Sequence, residues 1–98
     1  MIKIKKQGNL ISISGHADYA ESNDIVCASI SSIMYTTVNA IMNFDSKSII
    51  YNDDNNEVTI EIVSEDNITS TLIDNMMTLF KDLESKYPSN IKISKEEM

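Results

Sequence analysis

Breaking residues are scarce in this chain, and that scarcity limits what it can become. One proline and two glycines serve 98 residues. Gly8, Gly15 and Pro88 therefore mark the few places where the backbone must turn sharply or stop. No stretch is loose enough to be a linker and no internal repeat is visible, so residues 1–98 read as one domain. That length lies near the lower end of what buries a useful core without covalent staples.

Between these breakers the hydrophobic period switches back and forth. Ile2 and Ile4 alternate with lysines, Gln7-Gly8-Asn9 turns, and Leu10 to Ser14 returns, which predicts a β-hairpin. From Asp24 to about Phe44, apolar residues recur at Val26, Ile30, Ile33, Met34, Val38, Ile41 and Phe44. Those three-and-four spacings predict an amphipathic helix. Ser48 to Tyr51 and Glu57 to Val63 form a second hairpin around the polar turn Asp53-Asp54-Asn55-Asn56. Asp66 or Asn67 caps a second helix with the stripe Ile68, Leu72, Met76, Phe80 (or Leu79), Leu83 and Tyr87, which Pro88 ends. Ile91 and Ile93 make a short final strand, and Lys95 to Met98 is expected to fray. The order ββαββαβ predicts an α+β two-layer sandwich, two long helices on a mostly antiparallel sheet. Met34, Met42, Met76 and Met77 read as gap-filling core or interface packing.

Composition removes several function classes. Fifteen acidic residues against eight basic ones leave a net charge of -7. That argues against direct nucleic-acid binding, where a basic face supplies most of the affinity. The same charge permits a basic protein partner, or serves solubility alone. Mean hydropathy is -0.17, and no apolar run is expected to rival the roughly 18 residues of a spanning helix. The alternating N-terminus is a strand pattern rather than an export signal, so the expected location is cytoplasmic, away from membranes. A single cysteine excludes an internal disulfide. With one histidine and no zinc-type spacing, neither a metal site nor a cofactor is expected.

Chemistry concentrates in the seventeen residues from Gly15 to Ser31. Gly15 permits a positive-φ exit from the second strand, and His16 follows at the strand's mouth. A polar loop leads to Ser22 or Asn23 as the expected N-cap, which puts Cys27 in or just past the first helical turn. Free N–H groups and the positive dipole end at that position favour an anion, such as a thiolate. A nearby imidazolium favours it further. The same N–H groups are expected to hold an oxyanion on an attacked carbonyl. Cys27 and Ser31 share a line at the edge of the core stripe, where a thiol stays reachable. The residues alone leave other readings open: Cys27 as a small packed core residue, and His16 as a solvent-facing loop residue.

Gly15-His16-Ala17, the loop, Asp24-Ile25-Val26-Cys27-Ala28 and Ser31 together resemble the Prp family of bacterial ribosomal-processing cysteine proteases. The resemblance extends over nearly the whole chain. It implies a homodimeric cysteine endopeptidase that removes a short N-terminal extension from a large-subunit ribosomal protein (bacterial L twenty-seven), cutting after paired aromatic residues. It implies His16 and Cys27 as catalytic, with Asp24 orienting or capping and Ser31 and Gly15 supporting. One departure stands out: the family's loop before Asp-Ile-Val-Cys carries glycine, whereas Asp18 to Asn23 carries none, which suggests a stiffer or differently hinged loop.

The mechanism expected from these residues is proton transfer from Cys27 to His16 and thiolate attack on the scissile carbonyl. Protonation of the leaving amine and hydrolysis of a thioester follow. Two rivals come from other classes. One is an acidic, non-catalytic ribosome-assembly protein that holds a basic ribosomal protein, and the other is a thiol redox sensor acting through Cys27.

Overall fold

The hydrophobic pattern folds as its periods dictate. A computed structural model describes residues 1–22, 24–54 and 56–96. The elements run β1 (Ile2–Gln7), β2 (Leu10–Ser14), α1 (Ile25–Phe44), β3 (Ile49–Asp54), β4 (Glu57–Ile62), α2 (Asn67–Lys86) and β5 (Ile91–Glu96). The order is the expected ββαββαβ, an α+β arrangement of two helices on one five-stranded sheet.

The strands lie in the order β3-β4-β2-β1-β5. β1 and β2 join through a tight turn in which Gln7 faces Leu10 and Gly8 takes φ 57, the left-handed value that a two-residue hairpin turn demands. β4 pairs antiparallel with both β3 and β2. β5 arrives through α2 and pairs parallel with β1, Ile2 facing Ile91 and Gln7 facing Glu96. The sheet is thus mixed, with one parallel pair at its edge. Lys95 and Glu96 belong to that pair and are strand, contrary to the expectation that the tail frays from Lys95. The reason is backbone pairing with Lys6 and Gln7, which polar side chains on the open side do not advertise. Part of the second hairpin's turn, Asn55, lies outside the described residues, as do Glu97 and Met98.

One face of the sheet is apolar. Ile2, Ile4, Ile11, Ile13, Ile49, Ile60 and Ile91 are buried on it, while Lys3, Lys5 and Lys92 point away. Against these isoleucines pack Val26, Ile30, Met34, Val38 and Ile41 from α1 and Ile73, Met76 and Phe80 from α2. The buried line of α2 is Thr69, Ile73, Met76 and Phe80, rotated by one position from the expected stripe at its start, and Ile68 is exposed. Its cap explains the rotation. Asp66 accepts hydrogen bonds from both the backbone N–H and the hydroxyl of Thr69, at 2.8 and 3.0 Å, and so turns Thr69 inward. α2 ends with Tyr87 as C-cap, directly before Pro88.

α1 departs from expectation in another way. It holds no charged residue over twenty positions, and its mean hydropathy reaches 1.5. By length and composition alone it matches a membrane-spanning segment, contrary to the sequence expectation. In the fold one side of it is core, while Ile25, Tyr35, Met42 and Phe44 remain exposed.

Phe80 is the largest fully buried side chain. Phe80→Ala is expected to cost about 3–5 kcal/mol through lost burial and the cavity left behind, read as a lower midpoint in urea unfolding with unchanged slope.

Candidate active site

The site grows from the end of β2. Gly15 takes φ 86, and a side chain there would collide with the Met1 carbonyl oxygen. Glycine is therefore required both by conformation and by close approach. Its N–H donates to the Asn56 carbonyl at 3.4 Å, tying the exit to the start of β4. His16 follows on the surface and Ala17 turns back into the core.

Ala17 links the segment to both the sulfur and the far end of the chain. Its N–H donates to Cys27 Sγ at 3.3 Å. Its carbonyl accepts from Asn90 Nδ2 at 2.8 Å, across 73 positions of sequence. Asp18 then adopts φ 55, a left-handed conformation that Asp tolerates better than most side chains. The Tyr19 ring meets Tyr87 edge to face with centroids 5.4 Å apart. The glycine-free loop is thus pinned at several points.

Asp24 completes it. Its Oδ1 accepts from the N–H groups of Val26 and Cys27, both at 3.0 Å, making Asp24 the N-cap of α1. Its Oδ2 accepts from Tyr19 N–H at 3.1 Å and Ala20 N–H at 3.4 Å. One carboxylate thereby holds the helix start with one oxygen and the loop with the other. The Cys27 N–H foremost, with those of Tyr19, Ala20 and Val26, holds the Asp24 carboxyl below its ordinary 3.8 against a smaller opposing effect of burial.

Two expectations change here. The cap is Asp24, not Ser22 or Asn23 (the latter outside the described residues), because only from position 24 does a carboxylate reach two first-turn N–H groups. The helix N–H groups offered as oxyanion donors are also committed. Those of Val26 and Cys27 go to Asp24 Oδ1, and that of Ala28 goes to the Asp24 carbonyl at 3.0 Å.

His16, Gly15, Cys27 and Ser31 line one cleft of about 320 Å³. No hydrogen bond joins His16 to Cys27 or Ser31 among the described residues, and such contacts commonly tighten only when substrate is bound. Cys27 is half-buried, facing the cleft from the edge of the core. Asp24 stands behind it and acts through the backbone. Among the described residues, no three His, Cys, Asp or Glu side chains are arranged to hold a metal ion.

Sequence reasoning missed part of the lining, Tyr35 further along α1 and Asp53, Asn56, Glu57 and Val58 from the β3–β4 hairpin. Tyr35 donates to Asp53 Oδ2 at 3.2 Å and packs edge to face on Tyr51, centroids 6.5 Å apart. Burial first, then the Tyr35 hydroxyl and the Asp53 carboxylate, push the Tyr51 phenol far above its usual value. The signal for Tyr35 was present: Cys27, Ser31 and Tyr35 are spaced by four, one face of one helix. Asn90 and the Ala17 N–H carried no such signal, since one lies in a turn and the other is backbone.

Comparison with known proteins bears on the family and the fold. Residues 1–92 match the family model described as cysteine protease Prp. The ribosomal processing cysteine protease Prp of Staphylococcus aureus strain Mu50 is 31% identical over 99 residues, covering 95% of this chain and 93% of that protein. The crystal structure of the essential S. aureus ribosomal processing protease Prp with a covalently linked product peptide superposes with a TM-score of 0.90 at 28% identity, covering 98% of this chain and all of that one. The same protease with a substrate peptide gives 0.86 at 25% identity, with the same coverage of this chain and all of that one.

Because the folded-state carboxyl of Asp24 sits lower than the unfolded one, its contribution to stability is complete above the ordinary value of 3.8 and fades as pH falls through the lower folded value. Asp24→Ala is therefore expected to lower the urea midpoint near neutral pH, with the gap to the native chain narrowing in acid. A gap that stays constant down to pH values well below 3.8 contradicts this role.

Proposed function

Because the chain belongs to the Prp family of cysteine proteases, we propose that it is the endopeptidase that removes the N-terminal extension of a large-subunit ribosomal protein, bacterial L twenty-seven. One observation carries the reading: the only thiol and the only imidazole of the chain line the same cleft, with a loop N–H already on the sulfur.

In this reading His16 takes the Cys27 proton and the thiolate attacks the scissile carbonyl. His16 returns the proton to the leaving amine, and water then hydrolyses the thioester. Asp24 is a positioning residue, tying the helix start that carries Cys27 to the loop that follows His16. Ser31 shapes the floor of the cleft one turn along α1, and Gly15 sets the sharp exit that presents His16.

The net charge of -7 suits a strongly basic ribosomal substrate. An extended peptide laid along an open sheet edge offers its backbone for pairing. β3 is such an edge, and its Asp53 lines the cleft. The enzyme acts in the cytoplasm, where ribosomal proteins are made, and needs no contact with nucleic acid. We also assign it a homodimer, with the exposed uncharged side of α1 around Tyr35 and Met42 as the candidate interface.

Incubation with the precursor ribosomal protein is expected to shorten it at the extension, while Cys27→Ala leaves it whole. His16→Ala is expected to slow cleavage by about 10²–10⁴-fold, the usual worth of a general base. An uncut precursor with the native chain, or cutting by Cys27→Ala, overturns the assignment. For the dimer, sedimentation velocity at micromolar concentration should give one species of twice the chain mass, and Met42→Glu should shift it to the monomer. A native chain that sediments as a monomer removes the dimer from the model.

A further inference from the structure

The cleft needs a donor for the oxyanion, and the first-turn N–H groups around the sulfur are occupied. Those of Val26 and Cys27 are held by the Asp24 carboxylate, and that of Ala28 by the Asp24 carbonyl. Releasing them would cost α1 its cap and the loop its anchor. Ala17 stands differently. Its N–H is aimed at Cys27 Sγ at 3.3 Å, and it is bound to the sulfur that reacts rather than to a structural group. The residue is also held on its other side, because the Ala17 carbonyl, in the next peptide group, accepts from Asn90 Nδ2 at 2.8 Å.

We propose that the backbone N–H of Ala17 is the oxyanion donor of this site, and that Asn90 is the positioning residue that aims it. The proposal rests on the reading of Cys27 as the attacking nucleophile. In the resting site the N–H points at a sulfur lone pair. On attack the Cys27 thiolate forms the S–C bond, and the carbonyl π pair moves onto oxygen. That oxygen sits two bonds from Sγ, within reach of a donor already directed there. When the intermediate collapses, the C–N bond breaks and its pair leaves with the amine. The amine takes its proton from the His16 imidazolium, and the thioester remains on Cys27. The N–H thus gains a stronger acceptor in the transition state than it had in the ground state, the condition for acceleration.

Asn90 gives this donor its rigidity. It lies between α2 and β5, and its backbone carbonyl accepts from Ile2 N–H at 2.8 Å. The residue behind the loop is therefore bonded to β1, the strand next to β2. Its bond to the Ala17 carbonyl restricts rotation of Ala17 about its Cα, and with it the direction of the N–H. A dipole held still before the reaction needs no reorganisation during it.

Cys27 is the only cysteine, so a synthetic thioester of residues 1–26 can be ligated to a fragment beginning at Cys27 with no foreign residue. Two full-length chains made this way differ only at position 17: one carries alanine, the other L-lactate, an ester that deletes the N–H and keeps the methyl. Circular dichroism checks that both fold alike. Acylation by p-nitrophenyl acetate passes through an oxyanion, whereas alkylation by iodoacetamide displaces iodide and forms none. The lactate chain is expected to be acylated about 10²–10³-fold more slowly, the usual worth of one oxyanion donor, while its alkylation, which feels only the lost contact to Sγ, slows far less. Asn90→Asp, which loses the donor to Ala17, is expected to slow acylation about tenfold or more with alkylation again far less affected.

Acylation that is unaffected by the lactate, or that falls in parallel with alkylation, overturns the assignment of Ala17. A normal acylation rate in Asn90→Asp overturns the role of Asn90. An alanine chain that is acylated at Cys27 yet leaves the ribosomal precursor whole refutes the proposed substrate and leaves this donor standing. An alanine chain that is never acylated at Cys27 removes both.

Discussion

Everything at this site depends on where Asp24 places its charge. A helix start exposes N–H groups that must be satisfied, and a polar loop exposes more. Asp24 meets both needs with one side chain, Oδ1 capping α1 and Oδ2 gathering Tyr19 and Ala20. Without that bridge the only hydrogen bond left between the loop and the helix start, among the described residues, would be the one from the Ala17 N–H to the sulfur. The spacing from Gly15-His16 to Asp24-Ile25-Val26-Cys27 is the length of backbone that this bridge spans.

The same bridge changes the chemical meaning of the helix N-terminus. A helix start is commonly treated as a reservoir of spare donors. Here its local hydrogen-bonding capacity is spent on architecture, and the contact to sulfur comes instead from the loop. Scaffold and reactive centre are thereby separated: α1 supplies the thiol, the β2–α1 connection supplies the imidazole and the N–H on sulfur, and β3 with α1 supplies further lining. Tyr35 belongs to the first and the last of these groups, since it extends the Cys27–Ser31 line of α1 and bonds Asp53 of β3.

How much of this the residues announce in advance varies with the kind of force involved. Alternation in Ile2-Lys3-Ile4 and the three-and-four spacing from Val26 to Ile41 declare the strands and α1, because one buried face leaves a hydrophobic imprint. The imprint weakens where hydrogen bonding decides. Hydropathy places Ile68 inside α2, yet the Asp66 cap turns Thr69 inward in its place. Ser22, Asn23 and Asp24 are all good caps by type, and only the hydrogen bonds Asp24 accepts from Val26 and Cys27 mark it as the cap. Position 94 to 96 of β5 leaves no apolar trace, since its partners are the backbone of Lys5, Lys6 and Gln7. His16 and Cys27 are legible because reactive side chains are rare. Asn90 is invisible from sequence, because its importance lies in a contact with a residue 73 positions away.

That distance has a consequence for the life of the molecule before it is finished. Residues are made in order, and β1, β2 and α1 are synthesised before Asn90 and β5. Contacts between distant parts of a chain also close late during folding, after local helices and hairpins have formed. The hydrogen bond behind Ala17 and the parallel pairing of β5 on β1 are therefore among the last contacts made. A partly synthesised chain carries its nucleophile without the support that orders the peptide beside it. The ordering of Ala17 beside the thiol therefore waits on the docking of Asn90, a contact that closes late in folding.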